Sequence, residues 1–343
     1  MPLRLSVLDQ SPIPEGASAG DALRNTLDLA RAADRLGYSR YWLAEHHGTP
    51  GLACNSPEVM IGPVAAATTH LRVGSGGVML PHYSPLKVAE TFSMLSGLFP
   101  GRIDLGIGRA PGTSAAVARA LQRDRRTPAP DDFPEQMAEL LGYFESSALN
   151  LASPEIWLLG SSPQSAIWAA ECGLPYAFAD FINPDGAPFA QYYREHFRPS
   201  HRLREPRQEP KTSVCVWAVC ADTEAEAVRL SLSARMMMLL LFRGQLIPVP
   251  PIEKAEVFLA QESEAPQSLP LRRRIITGNP RQVRAAIEAV AADYQAEEVF
   301  VVNILYDHAA RVRSYELVAE AFDLAENHRS HGDPQPGTSV PLG

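Results

Sequence analysis

Short apolar runs alternate with longer amphipathic segments along most of the chain, and this pattern predicts β-strands that alternate with α-helices. The first unit combines an apolar–polar alternation at residues 3–9 with leucines and alanines at helical spacing over residues 19–36, a segment that ends at Gly37. Seven more apolar runs predict strands at residues 41–45, 73–80, 102–108, 155–160, 176–180, 212–220 and 298–304.

The segments between these strands predict helices and two long connections. Either Thr277 or Asn279 can cap a helix over residues 280–294, which has proline at its first position. Residues 109–130 predict a long polar loop, and residues 243–273, rich in Pro and Glu, predict an irregular insertion; both are candidate lids. Further helices are predicted at residues 57–69, 85–98, 133–144, 162–172, 185–197, 223–242 and 309–326.

Eight strands separated by helices favour parallel strands joined by right-handed crossovers. Eight such units predict an α/β fold, a closed (β/α)8 TIM barrel with an insertion after strand seven. The alternative is an open doubly wound sheet, whose first strand is followed by GxGxxG. The nearest match here, GIGRAPG at residues 106–112, has another spacing and follows the fourth strand. We therefore predict one barrel domain over residues 1–327 and a disordered tail at residues 328–343.

The third predicted strand is unusual because Gly74, Gly76 and Gly77 interrupt its apolar run. A buried strand normally carries β-branched side chains, and glycine weakens it. Bare backbone at these positions indicates either a ligand that approaches closely or tight packing against another strand. The sequence leaves both interpretations open.

Polar groups follow several predicted strands, at the end of a barrel where active sites lie. The second strand ends in Glu45-His46-His47, the fourth is followed by Arg109, and the turn at residues 160–165 (GSSPQS) opens a helix. Unpaired N–H groups at a helix N-terminus bind anions, and arginine adds a bidentate cation, so this pattern predicts a phosphate site. The alternative is that Ser161 or Ser162 merely caps the helix.

A metal site is not predicted from these residues. His46 and His47 are adjacent, and neighbours on a strand point to opposite faces, so they rarely bind the same ion. Neither HxH nor HExxH occurs in the sequence. We interpret Trp157 and Trp217 as side chains of the barrel core or its rim, with stacking on an aromatic ligand as the alternative.

Composition narrows the classes of partner. The 343 residues carry 31 Lys and Arg against 39 Asp and Glu, a formal net charge of −8, and the basic clusters at residues 123–126 and 272–274 are short, so we do not expect nucleic-acid binding. The four scattered cysteines suit a reducing compartment. The sequence contains neither a signal-peptide pattern nor an apolar run near the ~20 residues of a membrane span, so we expect a cytoplasmic protein without a membrane partner.

Several motifs together resemble one known family, the bacterial-luciferase-like flavin monooxygenases. Within it the chain resembles the LLM-class flavin-dependent oxidoreductases described as luciferase-family oxidoreductase group 1. The resemblance covers residues 3–325. The matching stretches are WLAEHH (42–47), GSGGVMLPHYSPLKVAE (74–90), GRIDLGIGRAPG (101–112), LLGSSPQSAIWAAECGLPYAFA (158–179) and EVFVVNILYDHAARVRSYELVAEAF (298–322).

This resemblance implies a barrel, usually homodimeric, that binds FMN at the C-terminal ends of its strands. Gly76-Gly77 matches the position of a non-prolyl cis peptide bond beneath the flavin ring. Arg109, Ser162 and Ser165 match ligands of the FMN phosphate, and Gly160-Ser161 matches the backbone beside them.

The resemblance also assigns roles near the reacting centre. His46 matches a catalytic acid or base near the flavin, and a pKa near neutrality would suit either role, while His47 is expected to point into the structure. Two positions depart from the family. Gly108 stands where luciferase has a reactive cysteine, so thiol effects on the flavin adduct are not expected. Asp180-Phe181 replaces the His-Phe of many members, which leaves the polarity of the substrate side open.

The implied activity is that of a two-component monooxygenase. A separate NAD(P)H:FMN reductase would supply reduced FMN (FMNH2), whose C4a-hydroperoxide, formed with O2, would transfer one oxygen atom to a small organic substrate. Two alternatives remain open at this point. One is an F420-dependent oxidoreductase that transfers hydride, and the other is a non-catalytic flavin-binding barrel.

Overall fold

Parallel strands form one sheet in the computed structural model of the chain, which describes residues 2–109, 114–122, 132–145, 152–200, 207–263 and 275–325. The strands of these ranges are β1 (Arg4–Asp9), β2 (Arg40–Leu43), β3 (Arg72–Met79), β4 (Ile103–Gly108), β5 (Glu155–Gly160), β6 (Tyr176–Ala179), β7 (Thr212–Cys220), β8 (Ile275–Gly278) and β9 (Glu298–Val302). The helices are α1 (Ala19–Leu36), α2 (Pro57–Ala66), α3 (Pro85–Leu98), α4 (Ala115–Leu121), α5 (Phe133–Glu145), α6 (Pro163–Cys172), α7 (Ala187–His196), α8 (Glu224–Leu230), α9 (Leu232–Phe242), α10 (Ile252–Ser263), α11 (Pro280–Asp293) and α12 (His308–Ala321).

The sheet closes because β7 hydrogen-bonds to both β6 and β9, and β9 in turn hydrogen-bonds to β1. Every pairing between strands is parallel, so the predicted (β/α)8 barrel is confirmed. Alternate strand residues point to opposite faces, and those facing inward fill the barrel with aromatic rings. Trp42 lies between Phe300, with ring centroids 4.0 Å apart, and Trp157, at 5.2 Å.

The structure contains one strand more than the sequence analysis predicts. β8 pairs with the last four residues of β7, from the Trp217–Ile275 pair to the Cys220–Gly278 pair. Its apolar run is too short to be recognised by periodicity beside the helix cap that follows it. The prediction of an irregular insertion at residues 243–273 is wrong where α10 forms, and residues 264–274 lie outside the described ranges.

The structure changes three further predictions, which concern one helix, one loop and one helix cap. The predicted helix at 223–242 is two helices, α8 and α9, separated at Ser231, whose hydroxyl donates to the carbonyl of Val228 at 2.7 Å. The predicted polar loop at 109–130 contains α4, while residues 110–113 and 123–131 are outside the described part. For α11 the cap is Asn279 rather than Thr277, because its side chain accepts a hydrogen bond from the Gln282 amide at 3.1 Å.

The N-terminal ends of the strands carry a buried network of charges. Arg40, at the start of β2, lies 2.6 Å from Asp104, 3.0 Å from Glu155 and 3.1 Å from Glu298. Lys211, just before β7, pairs with Glu155 at 3.0 Å. Burial alone would raise the pKa of Glu155, but these cations outweigh it and lower that pKa to about 2. This end of the barrel is therefore closed by charges that satisfy one another.

Some sequence-based expectations fall outside what the structure covers. The predicted tail at 328–343 and the basic clusters at 123–126 and 272–274 are not among the described residues. Within the described ranges, no helix combines the length and the apolar character needed to cross a membrane.

Candidate active site

A cavity of about 890 Å³ opens at the C-terminal ends of the strands. Small-molecule pockets span about 300–1,000 Å³, so this one has room for a cofactor together with a substrate. The structure brings all the predicted site residues together in its walls, although their individual roles stay predictions. They are His46, Gly76, Gly77, Arg109, Gly160, Ser161, Ser162 and Ser165.

Gly76 and Gly77 of β3 lie in the floor of the cavity and are also packed closely against neighbouring strands. The peptide bond between Gly76 and Gly77 is cis, as the resemblance implies. A Cβ atom on Gly76 would collide with the side chain of Leu8, and one on Gly77 would lie 2.8 Å from the carbonyl oxygen of Gly106. Close packing against neighbouring strands therefore accounts for the bare backbone at these positions, whatever ligand lies above it.

Glu45 joins the ends of β2 and β3 beside this floor. Its carboxylate is fully buried and accepts hydrogen bonds from the Met79 amide at 2.9 Å and the Tyr83 hydroxyl at 2.8 Å. The same carboxylate lies 2.7 Å from Nε2 of His47. His47 thus contacts a buried carboxylate of the protein, and it also borders the cavity that His46 lines, so the expectation that it points into the structure stays a prediction. Within the described residues no group of three His, Cys, Asp or Glu could hold a metal ion.

His46 lies in the cavity wall with an unusual protonation preference. Its amide donates to the carbonyl of Cys54 at 3.0 Å, and its buried Nδ1 atom has no hydrogen-bond partner among the described residues. Burial, with a contribution from the neighbouring His47, lowers the pKa of His46 to about 4. The expectation of a pKa near neutrality is therefore wrong. At pH 7 this imidazole is uncharged and can accept a proton, but it is not a cationic acid.

Arg109 and the N-terminus of α6 form one polar side of the cavity. Arg109 follows β4 directly, and its guanidinium lies over the ring of Trp168 in α6, 5.5 Å from the ring centroid. Ser162 is the N-cap residue of α6 and is exposed. Because Pro163 at the first helical position has no N–H, the first amides of this helix are those of Gln164 and Ser165. A cation beside a helix N-terminus with hydroxyl donors is a donor set that fits a phosphate group.

Ser165 is placed differently from the other predicted phosphate ligands. It is only 5% exposed, and its hydroxyl donates to the carbonyl of Ser162 at 2.6 Å and lies 2.9 Å from the Tyr176 hydroxyl. A Cβ atom on Gly160 would collide with the Ser165 side chain. Ser165 therefore holds the turn between β5 and α6 in shape. A direct contact with phosphate stays a prediction for this residue.

The opposite side of the cavity is an apolar wall that the sequence analysis did not assign to the site. The run at 236–242 (MMMLLLF) is a mostly apolar helix followed by an insertion, and this is a signal that could have identified the wall. Cys215 lies deeper, on β7, and burial raises the pKa of its thiol well above the ordinary value. The wall residues from α9 and its C-terminal extension are Met237, Met238, Leu241, Gly244, Gln245, Leu246 and Ile247, of which only Gln245 has a polar side chain.

The chain that follows α9 is fixed by main-chain hydrogen bonds. Val249 accepts from the Glu15 amide and donates to the carbonyl of Ile13, both at 2.8 Å. Ile13 in turn donates to the carbonyl of Gly51, also at 2.8 Å. The segments after β1 and β2 and the start of the predicted insertion are thereby tied together, so residues 246–250 form a fixed wall rather than a free lid.

The substrate side contains less polarity than its sequence suggests. The hydroxyl of Tyr294 donates to Asp180 at 3.1 Å, and Asp180 is not in the cavity wall, whereas Phe181 is. Of the two tryptophans in question, Trp217 lines the cavity. Trp157 is buried at the other end of the barrel, where its ring centroid lies 4.4 Å from the Lys211 ammonium. For Trp157 the interpretation as a side chain of the barrel core therefore holds.

A flavin mononucleotide fits these residues by chemistry. Arg109 and the α6 N-terminus match its phosphate, and the flat, bare backbone of Gly76–Gly77 matches an aromatic ring. The uncharged His46 borders the same floor.

Comparison with known proteins places the chain in a family. At 40% identity over 335 residues, it is similar to a luciferase-like monooxygenase of Escherichia coli strain K12, with 94% of this chain and 97% of that protein covered. It is 35% identical over 332 residues to the N-acetyl-S-alkylcysteine monooxygenase of Bacillus subtilis strain 168, covering 93% and 98%. The crystal structure of apo-MsnO8 superposes with a TM-score of 0.85 at 40% identity, covering 94% of this chain and 99% of that one.

More distant structures share the fold alone. One is the oxygenating constituent of 3,6-diketocamphane monooxygenase of Pseudomonas putida in complex with FMN, with a TM-score of 0.70 at 19% identity and 93% and 97% coverage. Another is an F420-dependent secondary alcohol dehydrogenase, with a TM-score of 0.64 at 15% identity and 94% and 99% coverage. The family model described as luciferase-like monooxygenase matches residues 3–297. The chain belongs to the luciferase-like monooxygenase family.

Proposed function

We propose that this chain is an FMN-dependent monooxygenase that transfers one oxygen atom from O2 to a small organic substrate. The observation that carries the proposal is the division of one cavity into three parts: a phosphate-type donor set at Arg109, a flat floor at Gly76–Gly77 and an apolar wall on α9. Membership of a monooxygenase family and the FMN-bound structural neighbour support the same choice of cofactor.

Each part of the cavity has a role in this proposal. Arg109, Ser162 and the first amides of α6 would hold the phosphate, and Gly76–Gly77 would support the ring. Reduced FMN, when bound, supplies the chemistry that activates O2. His46 is uncharged at neutral pH and can accept a proton from a bound ligand. The wall on α9 keeps water away from the reacting groups.

Titration of the purified protein with FMN tests the cofactor. We expect micromolar affinity for FMN, weaker binding of F420, and a loss of at least ~10-fold for Arg109→Ala, because a charge-assisted hydrogen bond contributes roughly 1.5–3 kcal/mol. Arg281→Ala, which removes an exposed arginine of α11, is the matched control. Unchanged FMN affinity in Arg109→Ala, or tighter binding of F420 than of FMN, would contradict the assignment.

We propose two partners beyond the substrate. A separate NAD(P)H:FMN reductase would supply the reduced flavin, and substrate-dependent O2 consumption in its presence distinguishes an enzyme from a flavin-storing barrel. A second copy of the chain would cover α2 and α3, where Val59, Met94 and Leu98 are 66–70% exposed. Light scattering of the eluted protein tests the dimer.

A further inference from the structure

The charges in the cavity wall are confined to two places. Among the described wall residues, Arg109 is the only arginine or lysine, and Glu45 is the only carboxylate. Arg109 belongs to the phosphate side. Glu45 is fully buried and already accepts from Met79 and Tyr83 and contacts His47.

Among the described residues, the side formed by α9 therefore has no charged side chain to offer a ligand. His46 is uncharged at neutral pH, and Asp180 accepts a hydrogen bond from Tyr294 instead of lining the cavity. The side chains that line the cavity there are thioethers, aliphatic groups, the ring of Phe181 and one neutral polar group, the amide of Gln245. An anionic substrate bound at this side would lose its hydration without gaining a cation, which is costly.

We propose that the substrate is a neutral, largely apolar organic molecule that binds against α9, next to the Gly76–Gly77 floor. This inference rests on the proposed function and narrows its substrate class. It excludes substrates whose carboxylate or sulfonate would have to sit in the α9 side of the cavity.

The wall combines a fixed backbone with adaptable side chains. The main-chain bonds of Val249 to Ile13 and Glu15 hold the segment after α9 in place. Met237 and Met238 have unbranched, polarizable side chains, which fit ligands of differing shape. We therefore expect this wall to select ligands by their low polarity more than by their shape.

A matched pair of ligands tests this class by binding, without any turnover. Hexyl methyl sulfide is neutral, and 6-(methylthio)hexanoate has a similar length and thioether but carries a carboxylate. Binding is measured by calorimetry and by quenching of tryptophan fluorescence, since Trp168 and Trp217 line the cavity, with the FMN-loaded and the FMN-free protein. We expect the sulfide to bind at least ~10-fold more tightly than the carboxylate. Equal or tighter binding of the carboxylate would overturn the proposal.

A substitution in the wall locates the preference. Leu241→Arg places a cation at the α9 side, on a side chain that is already 42% exposed, and should reduce the preference for the sulfide or reverse it. Val257→Arg adds the same charge on α10, outside the cavity wall, and should leave the preference unchanged. If both variants keep the original preference, the ligand does not bind against α9 and the inference fails.

The outcome is separate from that of the proposed function. If the sulfide is preferred but is not oxygenated with FMN, reductase and O2, the monooxygenase proposal loses support while the binding preference stands. If oxygenation occurs only with the carboxylate, the substrate class is wrong while the monooxygenase proposal stands.

Discussion

The two ends of the barrel treat their polar side chains in opposite ways. At the N-terminal ends of the strands, Arg40 is 4% exposed and pairs with three carboxylates. At the C-terminal ends, Nδ1 of His46 is buried without a hydrogen-bond partner among the described residues, and Arg109 is an exposed residue with its guanidinium over the Trp168 ring. The first arrangement pairs its charges within the protein, whereas the second leaves Nδ1 of His46 without a described partner beside the cavity.

This contrast separates stability from function within one fold, as is typical of (β/α)8 barrels. Paired charges at one end hold the strands in register, while the other end keeps an open cavity that His46 and Arg109 border. Glu45 is the exception at the C-terminal end, because this buried carboxylate has three contacts to protein groups. Glu45 lines the cavity and at the same time holds the ends of β2 and β3 together.

The largest expected effect comes from breaking the network at the N-terminal end. Arg40→Leu leaves the carboxylates of Asp104 and Glu298 buried without the guanidinium that pairs with both of them. We expect it to lower the free energy of unfolding by about 3–5 kcal/mol, the usual cost of removing one partner of a buried ion pair. Urea denaturation followed by circular dichroism measures the loss.

Arg109→Ala serves as the comparison at the opposite end. It removes an exposed arginine, so its unfolding free energy should stay within about 0.5 kcal/mol of the parent protein, as for most surface substitutions. A loss below 1 kcal/mol in Arg40→Leu, or an equal loss in both variants, would contradict the division between the two ends.

Glu45 allows a second, smaller test of the same division. Glu45→Leu removes the acceptor of the Met79 amide and the Tyr83 hydroxyl, and should destabilise the fold by about 2–3 kcal/mol. Tyr83→Phe removes one of these hydrogen bonds and should cost about 1 kcal/mol. Thermal and urea unfolding of both variants provide the values. Glu45 would not be structural if its substitution cost no more than that of Tyr83.

Local patterns were sufficient to predict eight of the nine described strands, most of the helices between them and the convergence of their polar ends. The Asn279–Pro280 helix start and the placement of His46, Arg109 and the turn at 160–165 in one cavity follow from residue types that act over a few positions. The barrel topology then brings these residues together, because parallel strands have their C-terminal ends at the same edge of the sheet.

Properties that depend on packing between distant segments could not be predicted. The pKa of His46 is set by burial, which no neighbouring residue in the sequence reveals. The same limit applies to β8, whose four residues are a strand because they pair with the end of β7. The segment that follows α9 is held in place by the hydrogen bonds of Val249 to Ile13 and Glu15, more than two hundred positions away.

The smallest expected effects are two changes of stability with pH, one for each end of the barrel. The pKa of Glu155 is lowered to about 2 from an ordinary 4.5, so its stabilising contribution is complete above pH 4.5 and is lost as the pH falls towards 2. The pKa of His46 is lowered to about 4 from 6.5. Between these two values the unfolded chain binds a proton that the folded protein does not, so stability falls as the pH decreases from 6.5 to 4.

Replacing His46 or Glu155 should remove the pH dependence of stability only in the pH range where that residue titrates. Unfolding free energies of the parent protein, His46→Gln and Glu155→Gln are compared from pH 7 to pH 3. Between pH 7 and 5 the parent should lose about 1–2 kcal/mol more than His46→Gln, because that variant has no imidazole to protonate. Glu155→Gln should be less stable than the parent over this interval by a constant amount, and the two should converge only below pH 4.5, where the parent loses the contribution of Glu155. If His46→Gln kept the full decrease between pH 7 and 5, the pKa of His46 would not be depressed, and a cationic acid at the cavity would again be possible at neutral pH.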